Sequence, residues 1–340
     1  GVVGGEKGSA PSSGNSGAGR RLQVRTFSVT CLSEDTGILE WVPNTVALRR
    51  IIQATNNPQC PESQKGKGFR IGDFGSGRLR NTFAKCQDKY IKDGDLSQAT
   101  ELFEKNILTG YPPVLYWWFI SSWSDPHEWF EARRRFTMSV SAWSAIGHII
   151  GLGDRHAENI LIDTKCGEVI HVDFDCLFDK GLNLSRPEVV PFRLTPNMVD
   201  ALGPTGYEGA FRGGLVETLG ALREQRELLL AVLQPFVNDP LIEWSRRIRE
   251  DGTRATSGVR DLEYGRRSLE TIDGRLRGVY NLKNPNTRKI RRTDGGAVDG
   301  EDENAALLPL GVEGQAEVLL KQATSRENLV QMYVGWMPWL

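Results

Sequence analysis

The stretch GLGDRHAENILIDTKCGEVIHVDFD, from Gly151 to Asp175, carries the strongest information about fold and chemistry in this chain. Its two apolar runs, NILI and VIHVDF, are rich in β-forming residues and flank the polar segment DTKCGE, in which Gly167 can make a turn. This pattern predicts a β-hairpin. Acidic and amide side chains stand at both of its ends, so we expect the hairpin to bring them towards one point.

Those polar side chains are suited to holding a divalent cation and a phosphate group. Mg²⁺ prefers oxygen ligands and usually takes only one or two from the protein. Asn159 offers an amide oxygen and Asp173 a carboxylate, so we expect both to bind one Mg²⁺, with Mn²⁺ as an alternative. Asp154 lies in the turn before the first strand, where it can meet a hydroxyl group, and His156 can donate to a phosphate oxygen. The combination predicts phosphoryl transfer.

A second acidic motif lies upstream, in IGDFGSGR at Ile71–Arg78. Its Asp73-Phe74-Gly75 precedes the Asp-Arg-His turn, is followed by Gly-rich sequence and lacks an apolar strand before it. We therefore interpret it as a loop and assign the metal-binding carboxylate to Asp173.

Composition sets the broad class. The chain has 340 residues, 39% of them hydrophobic and 25% charged, with a net charge of −1. These values are typical of a globular protein and give no overall basic field for nucleic acid, so no direct nucleic-acid site is predicted. Basic clusters at Arg246–Arg249 and Arg288–Arg292 are interpreted as solvated surface.

Cysteine spacing and hydropathy argue against a structural zinc site, a membrane span and a secretory signal. The five cysteines form no CxxC pair, which favours a reducing compartment and argues against a structural zinc site. No run of 18 apolar residues is present, so neither a membrane span nor a secretory signal is predicted. Because the first residue is not Met, we expect the chain to be a fragment.

Two elements before the hairpin are predicted from local signals. Leu22–Val42 alternates apolar and polar residues around a turn at Ser33–Gly37, which predicts another hairpin. Asp125-Pro126 is a typical helix start, and an apolar stripe from Trp129 to Ile150 predicts a long buried helix that ends at Gly151.

Beyond the hairpin, Cys176–Thr195 has little periodicity and is predicted to be a long loop. One amphipathic helix is predicted from apolar residues between Leu215 and Phe236. Near the end, Thr324-Ser-Arg-Glu327 is a candidate capping box for a helix whose apolar stripe comprises Leu329, Met332, Tyr333 and Trp336.

Several of these stretches resemble one family. GLGDRHAENIL and HVDFDCLF resemble the catalytic and metal-binding loops of the phosphatidylinositol 3-kinase-related protein kinases, in which the order is Asp-Arg-His. VPFRLTPNMVDALGPTGYEGAFR (Val190–Arg212) is similar to the end of their activation loop, and QATSRENLVQMYVGWMPWL to their FATC segment. RTFSVTCLSEDTGILEWVPNT, NDPLIEWS and the Trp-x-Pro ending resemble the ATR-type DNA-damage checkpoint kinases within that family.

The resemblance implies an α+β, protein-kinase-like fold that consists mainly of the helical C-lobe with hinge strands, most of the N-lobe being missing. The implied domains are a Gly/Ser-rich linker (1–21), the end of the N-lobe and the hinge strands (22–55), the C-lobe (56–292), an acidic mobile linker (293–307) and the FATC segment (308–340). Within the C-lobe it implies a catalytic loop (151–161), a metal-binding loop (171–178) and an activation loop (173–195).

The resemblance also assigns roles to residues. Asp154 would orient the substrate hydroxyl and accept its proton, His156 would stabilise charge on the transferred group, and Asn159 and Asp173 would bind Mg²⁺. Residues that match the ATP-binding hinge and the apolar floor of the nucleotide site are Glu40, Trp41, Val42, Leu161 and Val172. A phosphate-covering loop and an early-strand Lys have no counterpart, because Lys7 lies in the linker. We therefore expect residues 1–340 alone to bind ATP weakly.

The implied function is ATP-dependent phosphorylation of Ser/Thr-Gln sites in protein substrates, in the nucleus, during DNA-damage and replication checkpoint signalling. An ATR-interacting type of regulatory subunit and checkpoint activators would act through the full-length protein, with no membrane involved. Two alternatives stay open: a catalytically impaired fragment or interaction module, and a phosphoinositide kinase. The second is disfavoured because Leu177–Thr195 has only Lys180 and Arg186 as basic residues before Arg193.

Overall fold

A computed structural model describes residues 22, 24–33, 36–54, 78–238, 258–279 and 309–340. In these ranges the chain is mainly helical, with two small sheets, which agrees with the predicted α+β class. The strands are β1 (Val29–Cys31), β2 (Gly37–Leu39), β3 (Thr45–Ala47), β4 (Ile160–Asp163) and β5 (Val169–His171). The helices are α1 (Leu48–Ala54), α2 (Arg78–Asp93), α3 (Leu96–Phe103), α4 (Leu115–Ser122), α5 (Pro126–Ile150), α6 (Pro196–Ala201), α7 (Ala210–Glu224), α8 (Arg226–Asn238), α9 (Gly258–Leu276), α10 (Val312–Thr324) and α11 (Arg326–Gln331).

Some predicted features lie outside the described residues. They are the linker 1–21 with Lys7, the motif Asp73-Phe74-Gly75, the acidic linker 293–307 and both basic clusters, Arg246–Arg249 and Arg288–Arg292.

Helix α5 begins and ends where the sequence predicts. The Oδ1 atom of Asp125 accepts hydrogen bonds from the backbone N–H groups of His127 (2.9 Å) and Glu128 (3.0 Å), and Pro126 opens the first turn. Gly151 ends the helix with φ +63°, a left-handed conformation that glycine adopts without strain. The C-terminal half of α5 is buried almost all round, and it packs against α7.

The predicted hairpin at 160–171 is present and supplies two strands of a three-stranded antiparallel sheet, with β4 in the centre. Ile160 pairs with His171 across β4 and β5, and β3 adds to the other edge of β4, with Val46 opposite Ile162. The sheet is fixed to α5 at Val169, whose N–H donates to Ser139 Oγ (2.9 Å) and whose carbonyl accepts from Trp143 Nε1 (3.2 Å). The hairpin and the helix therefore form one rigid support.

The predicted N-terminal hairpin is also present. Strands β1 and β2 pair antiparallel, with Val29 opposite Leu39. Its side chains are exposed, because Val29, Ile38 and Leu39 each keep more than half of their surface accessible. An apolar hairpin with this exposure is expected where further polypeptide packs.

The helix predicted between Leu215 and Phe236 is wrong in one respect: two helices occupy this region. Gln225 separates α7 from α8 with φ −94° and ψ +22°. Neither glycine nor proline marks this break, and the apolar spacing continues across it, so the sequence pattern gives no signal for two helices. Phe236, predicted on the buried face, is 47% exposed.

The predicted capping box is displaced by one residue. Ser325, not Thr324, is the N-cap of α11, and its Oγ accepts from the Asn328 N–H (3.3 Å). The Thr324 hydroxyl instead donates to the Leu320 carbonyl within α10. Helix α11 ends at Gln331, so the predicted stripe does not continue as a helix to Trp336, and Tyr333 is exposed.

Residues 309–340 are packed into the helical core. Helix α10 contacts α7, and α11 contacts α3. Trp339 and Leu340 are fully buried, with the Trp339 ring against Phe83 (4.9 Å between centroids). Gln87 Nε2 donates to the carbonyls of Val330 (2.8 Å) and Met332 (2.7 Å), which satisfies backbone groups that the irregular segment leaves without helical partners.

None of the helices in the described ranges has both the length and the apolar character needed to cross a bilayer.

Candidate active site

Two adjacent loops form the candidate site, and backbone hydrogen bonds hold them together. The N–H of Gly153 donates to the Cys176 carbonyl (2.7 Å), and the N–H of Asp179 donates to the Gly151 carbonyl (2.9 Å). The first loop follows α5 and the second follows β5. The residues predicted to bind the substrate hydroxyl and the metal therefore lie on two loops that are held at a fixed spacing.

Asp154 and His156 lie side by side at the turn before β4. Asp154 adopts φ +55°, a left-handed conformation that costs free energy in residues other than glycine and is least unfavourable for Asp and Asn. His156 Nε2 lies 4.0 Å from Asp154 Oδ2, and both side chains are half-buried. Because His156 Nδ1 accepts from the Glu158 N–H (3.2 Å), Nε2 is the nitrogen that carries the proton in the neutral ring. Nε2 can therefore act as a donor, and its contact with a transferred phosphate group stays a prediction.

Asn159 is buried just before β4, and its side-chain amide is oriented by one contact. Its Nδ2 donates to the Asp154 carbonyl (3.0 Å). That contact uses the amide nitrogen, and Oδ1 is a hard oxygen atom of the kind that Mg²⁺ prefers. The donor therefore fits Mg²⁺.

Asp173 lies beyond the end of β5, on an exposed turn. In a continuous strand the pairing of Ile160 with His171 would put Asn159 and Asp173 on opposite faces. The strand ends at His171, however, and Asp173 adopts φ +60°, so the alternation stops before it. The backbones remain adjacent, since the Val172 N–H donates to the Asn159 carbonyl (3.1 Å). Their joint binding of Mg²⁺ stays a prediction.

Within the described ranges, no cluster of three or more His, Cys, Asp or Glu side chains is placed to hold a metal ion. A Mg²⁺ site of two protein oxygens completed by phosphate and water does not require such a cluster.

Arg155, to which sequence reasoning gave no role, connects the two loops. Its buried guanidinium donates from Nε to the Gly153 carbonyl (2.8 Å), from Nη1 to the Val172 carbonyl (2.8 Å) and from Nη2 to the Asp173 carbonyl. Burial lowers the pKa of Arg155, and the carboxylates of Asp154 and Asp173 partly oppose that shift. Arg155 fixes the spacing between the turn of Asp154 and the turn of Asp173. The only signal in the sequence was its position between Asp154 and His156.

Arg193 was also missed as a structural connection. Its Nη1 donates to the carbonyls of Arg155 (3.3 Å) and Trp336 (2.7 Å), and its Nη2 to those of Met337 (2.9 Å) and Leu340 (2.9 Å). The guanidinium also lies over the Trp336 ring, 4.2 Å from its centroid. Burial lowers the pKa of Arg193 to about 9. Through Arg193 the C-terminal segment is linked to the backbone of the turn that carries Asp154.

Glu188 is the third residue that sequence reasoning missed. Its Oε2 accepts a hydrogen bond from the backbone N–H of Asp154 (2.9 Å). Burial raises the pKa of Glu188 to about 7, although the hydrogen bond from Asp154 acts in the opposite direction. No local signal distinguishes Glu188 from an exposed glutamate in a loop.

The residues predicted to bind adenine lie on the connection between β2 and β3. Trp41 is 86% exposed, and its contact with adenine stays a prediction. The Glu40 N–H donates to the Ser28 carbonyl (2.8 Å), so its backbone can contribute only its carbonyl to a ligand, and the Val42 carbonyl already accepts from Thr45 Oγ1 (3.0 Å). Leu161 and Val172, predicted as the apolar floor, are half-buried.

The structure therefore brings Asp154, His156, Asn159 and Asp173 onto one frame through contacts with each other or with Arg155. Glu40, Trp41 and Val42 stand on a separate segment. In the described part of the chain they make no hydrogen bond to the 151–161 or 171–178 loops.

Comparison with known proteins identifies the family. Residues 13–246 match the family described as phosphatidylinositol 3- and 4-kinase, and residues 309–340 match the FATC domain. The chain belongs to the phosphatidylinositol 3- and 4-kinase family. Its FATC match is the feature expected of the protein-kinase branch of that family, and the predicted family membership and fold class are confirmed.

Two curated relatives of the chain are named as protein kinases. The chain is 39% identical over 320 residues to serine/threonine-protein kinase ATR of Arabidopsis thaliana, covering 94% of this chain and 10% of that protein. It is 38% identical to protein kinase rad3 of Schizosaccharomyces pombe, covering 93% of this chain and 11% of that protein. The chain thus spans about a tenth of the length of these relatives.

A solved structure of the family has the same fold. The FAT and kinase domain of CtTel1 superimposes with a TM-score of 0.70 and 30% identity, covering 94% of this chain and 19% of that one.

Proposed function

We propose that this chain is the catalytic region of an ATR-type serine/threonine protein kinase. The observation that carries the proposal is the frame around Arg155, in which one guanidinium donates to the carbonyl of Gly153, next to Asp154, and to the carbonyls of Val172 and Asp173. Phosphoryl transfer depends chiefly on positioning and on electrostatic stabilisation, so a rigid frame for these groups is what the reaction requires.

In the proposed reaction, the Asp154 carboxylate accepts the proton of a substrate Ser or Thr hydroxyl. The hydroxyl oxygen forms a bond to the γ-phosphorus of ATP, the bond from that phosphorus to the β–γ bridging oxygen breaks, and ADP leaves. His156 donates from Nε2 to an oxygen of the transferred group, which lowers the free energy of its developing charge. The carboxylate and the imidazole act on the same group because they are adjacent.

Asn159 Oδ1 and the Asp173 carboxylate would hold Mg²⁺ or Mn²⁺, which neutralises phosphate charge when bound. Asn159 contributes rigidity as well, since its Nδ2 is bonded to the Asp154 carbonyl. The Trp41 ring would stack on adenine, with the backbone of Glu40 and Val42 at the base edge. Leu161 and Val172 would contact the base from the sheet.

The finer assignments follow from the likeness to ATR and rad3. They are specificity for Ser or Thr followed by Gln, a role in DNA-damage and replication checkpoint signalling, action in the nucleus, and control by a regulatory subunit and checkpoint activators bound to the full-length protein. We propose no direct nucleic-acid contact by this chain.

The test is phosphate incorporation by the full-length protein that carries this chain. Substrates are a Ser-Gln peptide, the matched Ser-Ala peptide and vesicles that contain phosphoinositide. We expect transfer to the Ser-Gln peptide, loss with Ser-Ala, and loss in the Asp173→Ala variant. Transfer to lipid alone would overturn the protein-kinase assignment, and equal transfer to both peptides would remove the Gln specificity.

A second candidate, an impaired fragment or interaction module, is supported by the exposed hairpin. Val29, Ile38 and Leu39 present an apolar surface that the described residues do not cover. Comparing ATP turnover of residues 1–340 with that of the full-length protein separates the two. Turnover by the full-length protein alone shows that the enzyme needs more than this chain, and turnover by neither favours the interaction module.

A further inference from the structure

Glu188 lies in the predicted activation loop yet reaches the backbone of the catalytic turn. Its Oε2 accepts from the Asp154 N–H (2.9 Å), and its own N–H donates to the Gly181 carbonyl (3.1 Å). Both ends of the residue are therefore fixed. The hydrogen bond acts on a residue held at φ +55°, a conformation that needs such support to persist.

Two glycines make room for this carboxylate. A Cβ atom at Gly153 would lie 2.8 Å from Glu188 Oε2, and a Cβ at Gly181 would lie 2.6 Å from the same atom. Any side chain at either position would push the carboxylate off the Asp154 N–H. Neither residue has the positive φ that would itself call for glycine. The space occupied by Glu188 thus accounts for glycine at position 181, and at position 153 it does so together with the Cys176 sulfur, 2.9 Å from the same Cβ.

Charged and titratable groups surround the carboxyl. Arg155 and Arg193 favour the ionised form of Glu188, whereas the Asp154 carboxylate disfavours it. The Cys176 thiol lies beside Gly153, one of the two glycines that border the carboxyl. The other oxygen, Oε1, is buried and has no hydrogen-bond partner among the described residues. Burying a carboxyl oxygen without a hydrogen-bond partner costs folding free energy, so its presence calls for an explanation. In the described part of the chain, the hydrogen bond that the Glu188 side chain makes is to the backbone of the catalytic turn.

We infer that Glu188 is a positioning residue that holds the backbone of Asp154 for phosphoryl transfer, so that the activation loop controls turnover through this one carboxylate. The inference rests on the proposed function. An ionised carboxylate is a stronger acceptor for the Asp154 N–H than a protonated one, so this control strengthens as pH rises through neutrality.

The experiment compares variants of the full-length protein with ATP, Mg²⁺ and the Ser-Gln peptide. Glu188→Ala should lower kcat about tenfold or more and change the KM for ATP less than about threefold, because the lost contact serves the chemical step. Glu188→Gln keeps an acceptor oxygen and should retain kcat within about threefold while flattening the pH profile between pH 6 and 8. The matched control is Glu217→Ala on α7, an exposed glutamate that should change neither parameter.

Gly181→Ala supplies an independent arm, because it displaces the carboxylate without removing it. It should lower kcat by itself but add less than about a twofold loss in the Glu188→Ala background, where the space is free. If Glu188→Ala melts at much lower temperature than the parent, Glu188→Gln and Gly181→Ala decide the question.

Unchanged kcat in Glu188→Ala, additive losses in the double variant, or an effect confined to KM would overturn the inference. These outcomes presuppose an active parent protein. A parent without phosphotransfer to any peptide would instead overturn the proposed function.

Discussion

Arg193 and Leu340 are 147 residues apart in sequence, and Nη2 of Arg193 donates to the backbone oxygen of Leu340 at 2.9 Å. The same guanidinium bonds the Arg155 carbonyl, one residue from Asp154. The segment matched to the FATC domain is therefore linked by two hydrogen bonds to the turn that carries Asp154. Its effect on activity can be tested without altering any of the proposed site residues.

Deletion of Trp336–Leu340 should lower both stability and turnover of the full-length protein. The deletion removes three of the four carbonyl partners of Arg193 and leaves a buried cation with little compensation. Arg193→Lys should reproduce part of the effect, with about 2–4 kcal/mol lost in the free energy of unfolding, because one ammonium cannot reach all four oxygens. Thermal melts and kcat measurements check this, with the exposed Arg266→Lys as control. Normal turnover with a normal melt would contradict it.

Arg155→Lys should lower kcat even though the charge is kept. The three carbonyls bound by Arg155 belong to two loops, and only a planar guanidinium presents donors to all of them. We expect a loss of about tenfold to a hundredfold, since each unsatisfied buried carbonyl costs about 1–3 kcal/mol. Steady-state kinetics measure kcat, and binding of a fluorescent ATP analogue should weaken much less. Wild-type kcat in this variant would show that the frame does not depend on Arg155.

Trp41→Ala should raise the KM for ATP without affecting folding. Trp41 is 86% exposed, so its removal takes away little packing. Base–aromatic stacking contributes about 1–3 kcal/mol, which corresponds to an increase in KM of about fivefold or more. The control is Phe130→Ala, another exposed aromatic residue. An unchanged KM would remove Trp41 from the nucleotide site.

Acid should destabilise the protein through His148. Its imidazole is buried, with Nε2 unpaired among the described residues, and burial together with the nearby Arg275 holds the pKa well below 6.5. The unfolded chain binds a proton near pH 6.5 whereas the folded state does not. The contribution of neutral His148 to the free energy of unfolding is thus present above that pH and is lost as the pH falls. In urea unfolding between pH 7.5 and 5, His148→Leu should reduce the pH slope by about 1.4 kcal/mol per pH unit. The exposed His127→Gln should have no such effect, and identical slopes for His148→Leu and the parent would contradict the prediction.

Glu188 should make the stability of the protein fall as the pH rises, which is opposite to the effect of His148. Its pKa is raised from 4.5 to about 7, chiefly by burial, so the folded state binds the proton more tightly than the unfolded chain. The stabilisation is present below about pH 4.5 and is lost as pH rises through 7, by up to about 3 kcal/mol. Glu188→Gln should therefore gain stability over the parent at pH 8.5 compared with pH 5. An equal difference between the two proteins at both pH values would contradict this.

The sequence predicted those features whose causes are local. Asp125, Pro126 and Gly151 define the ends of α5 within one turn each, and the alternation around Gly167 predicts the hairpin. Strand β3 was not predicted, because Thr45–Ala47 is too short to carry a pattern and its partner β4 lies more than 100 residues away.

The residues of the candidate site also fall into two groups, those that local sequence predicts and those that it does not. Asp154, His156, Asn159 and Asp173 could be proposed from the sequence because chemistry and spacing coincide within one stretch. Arg155, Glu188 and Arg193 could not, since their roles arise from backbone atoms that the fold brings to them. For Arg193, three of the four acceptors lie more than 140 residues away. Backbone acceptors leave no trace in residue type, so only coordinates reveal such contacts.

Asn197 connects the start of helix α4 with the C-terminal segment. Its Oδ1 accepts from the Val114 N–H (2.8 Å) at the start of α4, and its Nδ2 donates to the Trp339 carbonyl (2.9 Å). Together with the Gln87 and Arg193 contacts, this means that a protease cut between residues 280 and 308 would not release the C-terminal piece. The two polypeptides would co-elute in gel filtration and separate only in denaturant, so the large and the small piece could be labelled separately and then recombined.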